Sequence, residues 1–228
     1  MTVLLVVAKA PVPGLVKTRL CPPATPAEAA RIAAAALRDT LDAVTATPGV
    51  LPVLCLAGAL ADASDGVDLA AALAGWPVLP QRGVDFAARL AHAHADVAAA
   101  YPGRPVLQIG MDTPQLTAGR LAAAVRRLGA PDVDAVLGPA ADGGWWALGL
   151  RDPRQAQALR TVPMSTPDTG RLTWAALADR GLRLRPLPVL RDVDVLADAL
   201  AVAAAAPRSR FAREVAALRR GPVAGVLR

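Results

Sequence analysis

The stretch Thr2-Val3-Leu4-Leu5-Val6-Val7-Ala8, followed by Lys9-Ala10-Pro11-Val12-Pro13-Gly14-Leu15-Val16-Lys17-Thr18-Arg19-Leu20, decides how the rest of the chain is read. An uncharged run rich in β-branched side chains predicts a strand buried on both faces, the kind found in parallel sheets. Pro11, Pro13, Gly14, Pro22 and Pro23 then predict a loop from Lys9 to Pro23. Thr25-Pro26-Ala27-Glu28 opens a helix expected to reach about Ala46, with Thr25 as its cap, Pro26 in the first helical position and Glu28 in the third.

The alternation continues downstream. Strands are predicted over 51–57, 76–79, 104–109, 133–137 and 145–150, with an exposed edge strand over 182–187. Helices are predicted over 60–73 (weakly), 85–100, 117–128, 169–180 and 195–206. This pattern predicts an α/β three-layer sandwich, a mostly parallel mixed sheet with helices on both faces. No internal repeat or long linker interrupts it. Residues 1–206 are therefore expected to form one domain, and residues 207–228 a basic C-terminal helix or tail packed on or trailing it. In sheets of this kind ligands bind beyond the carboxyl ends of the strands. The polar motifs fall at those ends: Lys9 to Arg19, Gln81 to Gly83, Asp112 and Asp142.

Bulk properties narrow the function classes. The two cysteines, Cys21 and Cys55, lie in no metal-ligand spacing, so a disulfide framework or zinc site is not expected. The net charge of +6 is concentrated at the C-terminus, where residues 208–228 hold six arginines and one acid. The rest is nearly neutral, with no basic stripe interleaved with aromatics, so no nucleic-acid partner is expected. The N-terminal apolar run is shorter than a signal peptide's, and no segment approaches the roughly 20 apolar residues that span a bilayer. A cytoplasmic location and no membrane span are expected. The chain has 23 arginines but only two lysines, Lys9 and Lys17, and both sit in the first loop. A compact ammonium meets phosphate as a point charge, which an arginine fork does not.

Several residues have the chemistry for a site. Gly14 permits close backbone approach, and Lys17 and Arg19 suit phosphate oxygens, although the loop is neither a P-loop nor a dinucleotide fingerprint. Asp112 ends a buried strand, where a carboxylate is costly unless paired or metal-bound; it is read either as a Mg²⁺ ligand or as a cap or turn residue before Pro114. In Arg191-Asp192-Val193-Asp194 either aspartate could supply a second carboxylate, and Asp194 is equally suited to cap the following helix. Asp142-Gly143-Gly144-Trp145-Trp146 combines close backbone approach with an aromatic cover, and on a strand only one of the two tryptophans can face a pocket. His92 and His94, two apart on a helix, cannot share a face and are read as structural. No serine occupies a nucleophile elbow, which disfavours a hydrolase triad.

Taken in order, Ala8-Lys9-Ala10-Pro11 with Gly14 and Lys17-Thr18-Arg19-Leu20, Gln81-Arg82-Gly83 with Arg89, Gly110-Met111-Asp112-Thr113-Pro114, Gly138-Pro139 with Asp142-Gly143-Gly144-Trp145, Ser165-Thr166-Pro167 and Asp192-Val193-Asp194 resemble the bacterial radical-SAM/selenodomain-associated transferases. That family has a glycosyltransferase-A-like fold and is often described as arsenosugar-biosynthesis glycosyltransferases. More distantly the chain is similar to phosphoenolpyruvate and phospholactate guanylyltransferases, in Lys-Thr-Arg-Leu and the following helix with Arg31 and Asp39. The resemblance implies a nucleotide-diphospho-sugar transferase fold and a metal-dependent transferase using Mg²⁺ or Mn²⁺. The implied metal ligands are Asp112 and Asp194. Lys9, Gly14, Lys17, Arg19, Gln81 and Gly83 would bind the nucleotide, Lys17, Asp112 and Asp142 would be catalytic, and Gly143, Gly144 and Trp145 would line the acceptor side. Two donors remain open: a nucleotide sugar giving glycosyl transfer to a small acceptor, or a nucleoside triphosphate condensed with a small phosphorylated or hydroxy-acid substrate with release of pyrophosphate. A nucleotide-binding protein without turnover is the third alternative.

Overall fold

The computed structural model describes residues 1–220. Its centre is a seven-stranded sheet in the order β3-β2-β1-β4-β6-β5-β7. β1 (Thr2–Lys9) is buried from Thr2 to Ala8 and pairs in parallel with β2 (Val50–Ala57) and β4 (Val106–Gly110). β2 carries β3 (Val78–Pro80) on one edge, also parallel. β6 (Trp145–Leu150) is antiparallel to both β4 and β5 (Ala135–Pro139), and β7 (Leu184–Pro186) closes the other edge parallel to β5. The sheet is thus mixed and mostly parallel. Because β6 runs backwards, β5 points the same way as β1 and β4, and their carboxyl ends share one edge.

Strand alternation sends apolar side chains both ways. Leu4, Val6 and Ala8 meet α1 (Pro26–Thr45), α2 (Gly66–Ala72) and α4 (Ala118–Leu128) on one face. Val3, Leu5 and Val7 meet α3 (Phe86–Ala100) and α5 (Thr169–Ala178) on the other. Local signals set the helix starts. Thr25 and Glu28 form the expected capping box, with the Thr25 amide donating to Glu28 Oε2 at 2.8 Å. Asp85 accepts from the Ala88 amide at 2.7 Å, and Thr117 caps α4.

The structure departs from the sequence reading in three places. The predicted weak helix over 60–73 is broken at Asp65, whose φ of 54° lies in the left-handed region, into a 3-10 turn at Leu60–Asp62 and α2. The third strand begins at Val78 rather than Trp76. Pro153–Thr161, for which periodicity makes no prediction, winds as a 3-10 helix that buries Ala156, Ala158 and Leu159 beside α3.

α6 (Leu196–Ala205) and α7 (Arg210–Arg220) pack beyond α1. Phe211 and Val215 of α7 join Leu20, Ile32 and Val193 in a third apolar cluster. Asp39 on α1 accepts from the amides of Arg210 and Phe211 at 3.1 and 2.9 Å, which caps the start of α7. α7 is thus docked through Phe211 and Val215, with Leu218 packed alongside, and residues 221–228, part of the basic C-terminal segment expected over 207–228, lie outside the described part. No described helix is long and apolar enough to cross a membrane.

Candidate active site

Two connected cavities open along the carboxyl edge of the sheet, and both are lined by Lys9, Arg19, Met111, Asp112 and Asp194. The smaller, about 270 Å³, lies under the loop Leu15–Arg19 against Ala33 of α1. The larger, about 700 Å³, runs towards Gln81, Phe86 and Arg89 on one side and towards Trp145 and the segment Met164–Pro167 on the other.

Carboxylates crowd the middle of this edge. One oxygen each from Asp142, Asp192 and Asp194 lies within 4.8 Å of the others. The chain brings them together from two places: the turn after β5, and the loop that crosses the end of β4 before α6. Burial and the neighbouring charges of Asp142, Asp194 and Asp112 push the Asp192 carboxyl up to about 6. Hard oxygen donors packed this tightly repel one another unless a cation joins them, and they suit Mg²⁺ or Mn²⁺. Asp194 does not cap α6. Its own amide, and that of Val195, donate to Asp198 Oδ2, which leaves the Asp194 carboxylate for the cluster and for Arg19 at 3.1 Å.

Asp112 stands beside this cluster, not inside it. Its Oδ1 lies 2.6 Å from Lys17 Nζ, and Lys17 also donates to the Val193 carbonyl. The Val193 amide in turn donates to the Asp112 carbonyl at 3.0 Å. Lys17 is 9% exposed, so this is a nearly buried ammonium holding three loops in register. Its backbone takes a left-handed φ of 48°, so the side chain is aimed inward by a conformation that costs energy. Lys9 donates to the Leu15 carbonyl at 2.8 Å and folds the same loop over the small cavity.

The remaining predicted residues divide. Gln81 lines the large cavity, but its amide nitrogen is engaged by the carbonyls of Ala8 and Cys55 at 2.8 and 3.2 Å, which leaves its oxygen free. Gly83 and Gly14 line neither cavity; a Cβ on Gly83 would stand 2.7 Å from the Arg89 amide, so its part is to pack the start of α3. Gly143 has φ 92°, and a Cβ there would stand 1.9 Å from the Pro167 carbonyl oxygen, so the Asp142 turn and the Ser165–Pro167 segment can meet only through glycine. Gly144 lines the cavity and donates to Asp142 Oδ1 at 2.8 Å. Trp146 is mostly core, 4% exposed, with its ring packed on Gly138 and its Nε1 donating to the Pro188 carbonyl, yet it also reaches the lining of the larger cavity, so both tryptophans border it rather than one. Trp145 is half-buried, lines the cavity and donates to Thr173 Oγ1.

Asp192, read from sequence as one of two aspartates able to supply a second carboxylate, lies in the cluster together with Asp194, whereas the sequence reading did not single out Gln108, a buried side chain on β4 that lines the large cavity. The signal for it was present: one amide in the otherwise apolar strand Val106–Ile109. His94 is fully buried beneath it, as its structural reading expects, and burial lowers its pKa to about 4.

The fold also occurs in known proteins. A protein from Desulfovibrio desulfuricans G20, provisionally assigned as a nucleotide-diphospho-sugar transferase, superposes with a TM-score of 0.81 at 25% identity, covering 96% of this chain and 98% of its own. A cytidylyltransferase from Leptospira borgpetersenii gives a TM-score of 0.58 at 13% identity over 97% of this chain and 94% of its own. Rv0371c of Mycobacterium tuberculosis H37Rv, in a manganese complex, gives 0.51 at 20% identity over 89% and 98%. The fold is that of the nucleotide-diphospho-sugar transferase structures. No curated protein matches the chain. A family model matches residues 40–166, over half of the sequence, and the chain belongs to that family, DUF2064, described as uncharacterized proteins conserved in bacteria.

Proposed function

We propose that this protein is a metal-dependent transferase that takes a nucleotide-activated donor, with glycosyl transfer from a nucleotide sugar to a small acceptor as the first reading. The observation that carries it is the close group of Asp142, Asp192 and Asp194 beside the Lys17–Asp112 pair, at the strand ends of a nucleotide-diphospho-sugar transferase fold. Asp194 and Asp192 are assigned as ligands of Mg²⁺ or Mn²⁺, with Asp112 adjoining them. The bound metal would offset the charge of the leaving diphosphate. Lys9, Lys17 and Arg19 hold phosphate oxygens over the first loop, and Lys17 keeps Asp112 aimed. Asp142 orients an acceptor hydroxyl or takes its proton. Gly144 and Trp145 shape the acceptor side, and Gln81 offers its free oxygen to the base.

A second reading, nucleotidyl transfer from a nucleoside triphosphate, has its own support. Both lysines of the chain and Arg19 line the smaller cavity, more positive charge than a diphosphate sugar requires. Melting curves with Mg²⁺ or Mn²⁺ and panels of nucleotide sugars and nucleoside triphosphates separate the readings, since a ligand specific to the folded state raises the midpoint. A metal-dependent rise with one nucleotide sugar, lost in Asp194→Ala, supports the first. A rise with one triphosphate alone, followed by pyrophosphate release, supports the second. No rise with any nucleotide sinks both.

A further inference from the structure

Arg19 and Asp194 stand 175 residues apart in sequence and meet where both cavities are lined by them. Arg19 Nη1 donates to Asp194 Oδ2 at 3.1 Å. Both backbones are pegged one residue away. Leu20 and Val193 are fully buried in the same apolar cluster, so the turn Thr18–Leu20 and the loop 191–195 cannot drift apart without opening it. The two side chains are held more loosely. Arg19 is 69% exposed and Asp194 43%, and this is the one ion pair that the guanidinium forms among the described residues. Lys17, two residues earlier, is the opposite: nearly buried, with Asp112 and the Val193 carbonyl as its acceptors. The loop after β1 thus carries one fixed cation and one that can move.

Charge decides where the movable one belongs. Asp194 is one of three carboxylates whose oxygens lie within 4.8 Å of one another. A divalent cation seated among them and a guanidinium on the same carboxylate repel each other. Arg19 on Asp194 therefore weakens the hold of this group on a metal. The pair itself resists little, because an exposed ion pair with a single contact contributes little in water. A phosphate is the better partner, since its oxygens accept two parallel N–H bonds from the arginine fork at once. Arg19 lines the smaller cavity together with Lys9 and Lys17, where the proposed function puts phosphate oxygens. A rotation of its side chain, with Leu20 left in place, takes the guanidinium off Asp194.

We propose that Arg19 is an internal competitor of the metal, which makes tight metal binding conditional on phosphate. With Arg19 on Asp194, the three carboxylates hold Mg²⁺ or Mn²⁺ weakly. Phosphate oxygens draw the guanidinium away, remove its charge from Asp194 and leave that carboxylate whole for the cation. The coupling is reciprocal, so bound metal frees Arg19 for phosphate in turn. This rests on the metal-dependent reading and goes beyond it in naming the residue that regulates the site: the acidic group on its own is kept from filling, and metal and phosphate enter together.

The test uses the full chain and two probes, Mn²⁺ and inorganic pyrophosphate. Equilibrium dialysis against Mn²⁺ held by a metal buffer, with and without pyrophosphate in both compartments, reads the metal carried by the protein. Arg19→Met is compared with wild type and with Arg185→Met, which removes the same charge from a pair with Asp132 outside both cavities. Melting midpoints establish that both variants are folded. With Mn²⁺ alone, Arg19→Met is expected to bind about three- to tenfold tighter than wild type, and Arg185→Met to bind as wild type does. Pyrophosphate should tighten Mn²⁺ binding in wild type more than in Arg19→Met, by about the factor that the variant gains without it. Fixed repulsion by an arginine that never moves would give the first result without the second. Equal or weaker Mn²⁺ binding in Arg19→Met, an equal gain in Arg185→Met, or the same pyrophosphate effect with and without Arg19 each overturns the proposal. Wild type that takes up no Mn²⁺ in either condition overturns the metal-dependent reading itself, and this inference with it.

Discussion

Two loops meet across the end of β4 and carry opposite charge: Lys9–Arg19 after β1, and Arg191–Val195 before α6. In the first, charge is satisfied inside the protein. Lys17 is paired with Asp112, Lys9 with a carbonyl of its own loop, and Arg19 with Asp194. In the second, carboxylates are concentrated, with Asp192 and Asp194 beside Asp142, and Arg19 at one edge of Asp194 offsets only part of their charge. The contrast separates two tasks. The basic loop is already organised, and under the proposed reading phosphate oxygens would complete it. The acidic loop is held in an unfavourable arrangement by the rest of the fold, and under the proposed reading a bound cation would relieve it.

The sharpest way to break this contrast is to remove a carboxylate. Asp194→Ala is expected to abolish the metal-dependent rise in melting midpoint and to lower turnover by about 100-fold or more, read by calorimetry with and without Mn²⁺ and by product release. Asp192→Asn should separate stability from function. With one repulsive charge gone, the metal-free protein gains about 1–3 kcal/mol in urea unfolding at pH 7, while its response to metal is lost. If Asp192→Asn is instead destabilising, the acidic loop is a structural network and the contrast fails. On the basic side, Lys17→Met should cost about 1–3 kcal/mol of stability by stranding Asp112, and should weaken triphosphate or diphosphate binding in a titration.

A smaller effect comes from outside both loops. The unfolded chain protonates its histidine near pH 6.5, whereas folded His94 does so only near 4. The unfolded state therefore binds more protons between these values, and stability falls as pH drops through that window, by about 2–3 kcal/mol. Urea unfolding at pH 7 and pH 4.5 in the Asp192→Asn background, which removes a carboxyl titrating in the same range, measures it. Least of all, Asp85→Ala removes the cap of α3 and should cost about 1 kcal/mol with little change in metal response.

What the sequence made legible follows from range. The capping box of Thr25 and Glu28, the cap at Asp85, the buried strand at 2–8 and the edge strand near 184 are written within a few residues, and local chemistry decides them. The gathering of Lys17, Asp112 and Asp194 was legible only as separate motifs at strand ends, and the rule that ligands bind there supplied the rest. The partnership of Asp142 with Asp192 depends on β6 running antiparallel between β4 and β5, a tertiary outcome that spacing does not encode. Gly83 packs against the start of α3, a role that sequence cannot tell from ligand contact, because a glycine requirement looks the same whether a ligand or a helix occupies the space.

Val193 gives the acidic loop a further property. Between two aspartates that face the cavity, its side chain is fully buried and packs in one cluster with Phe211 and Val215 of α7 and with Leu20 and Ile32. The spacing of the two carboxylates is thus pegged from below by hydrocarbon, and the peg is seated partly in a helix that lies outside both cavities. Under the proposed metal reading, affinity for the cation would be shared with the C-terminal helix: shrinking Phe211 would blunt the site without altering a single ligand.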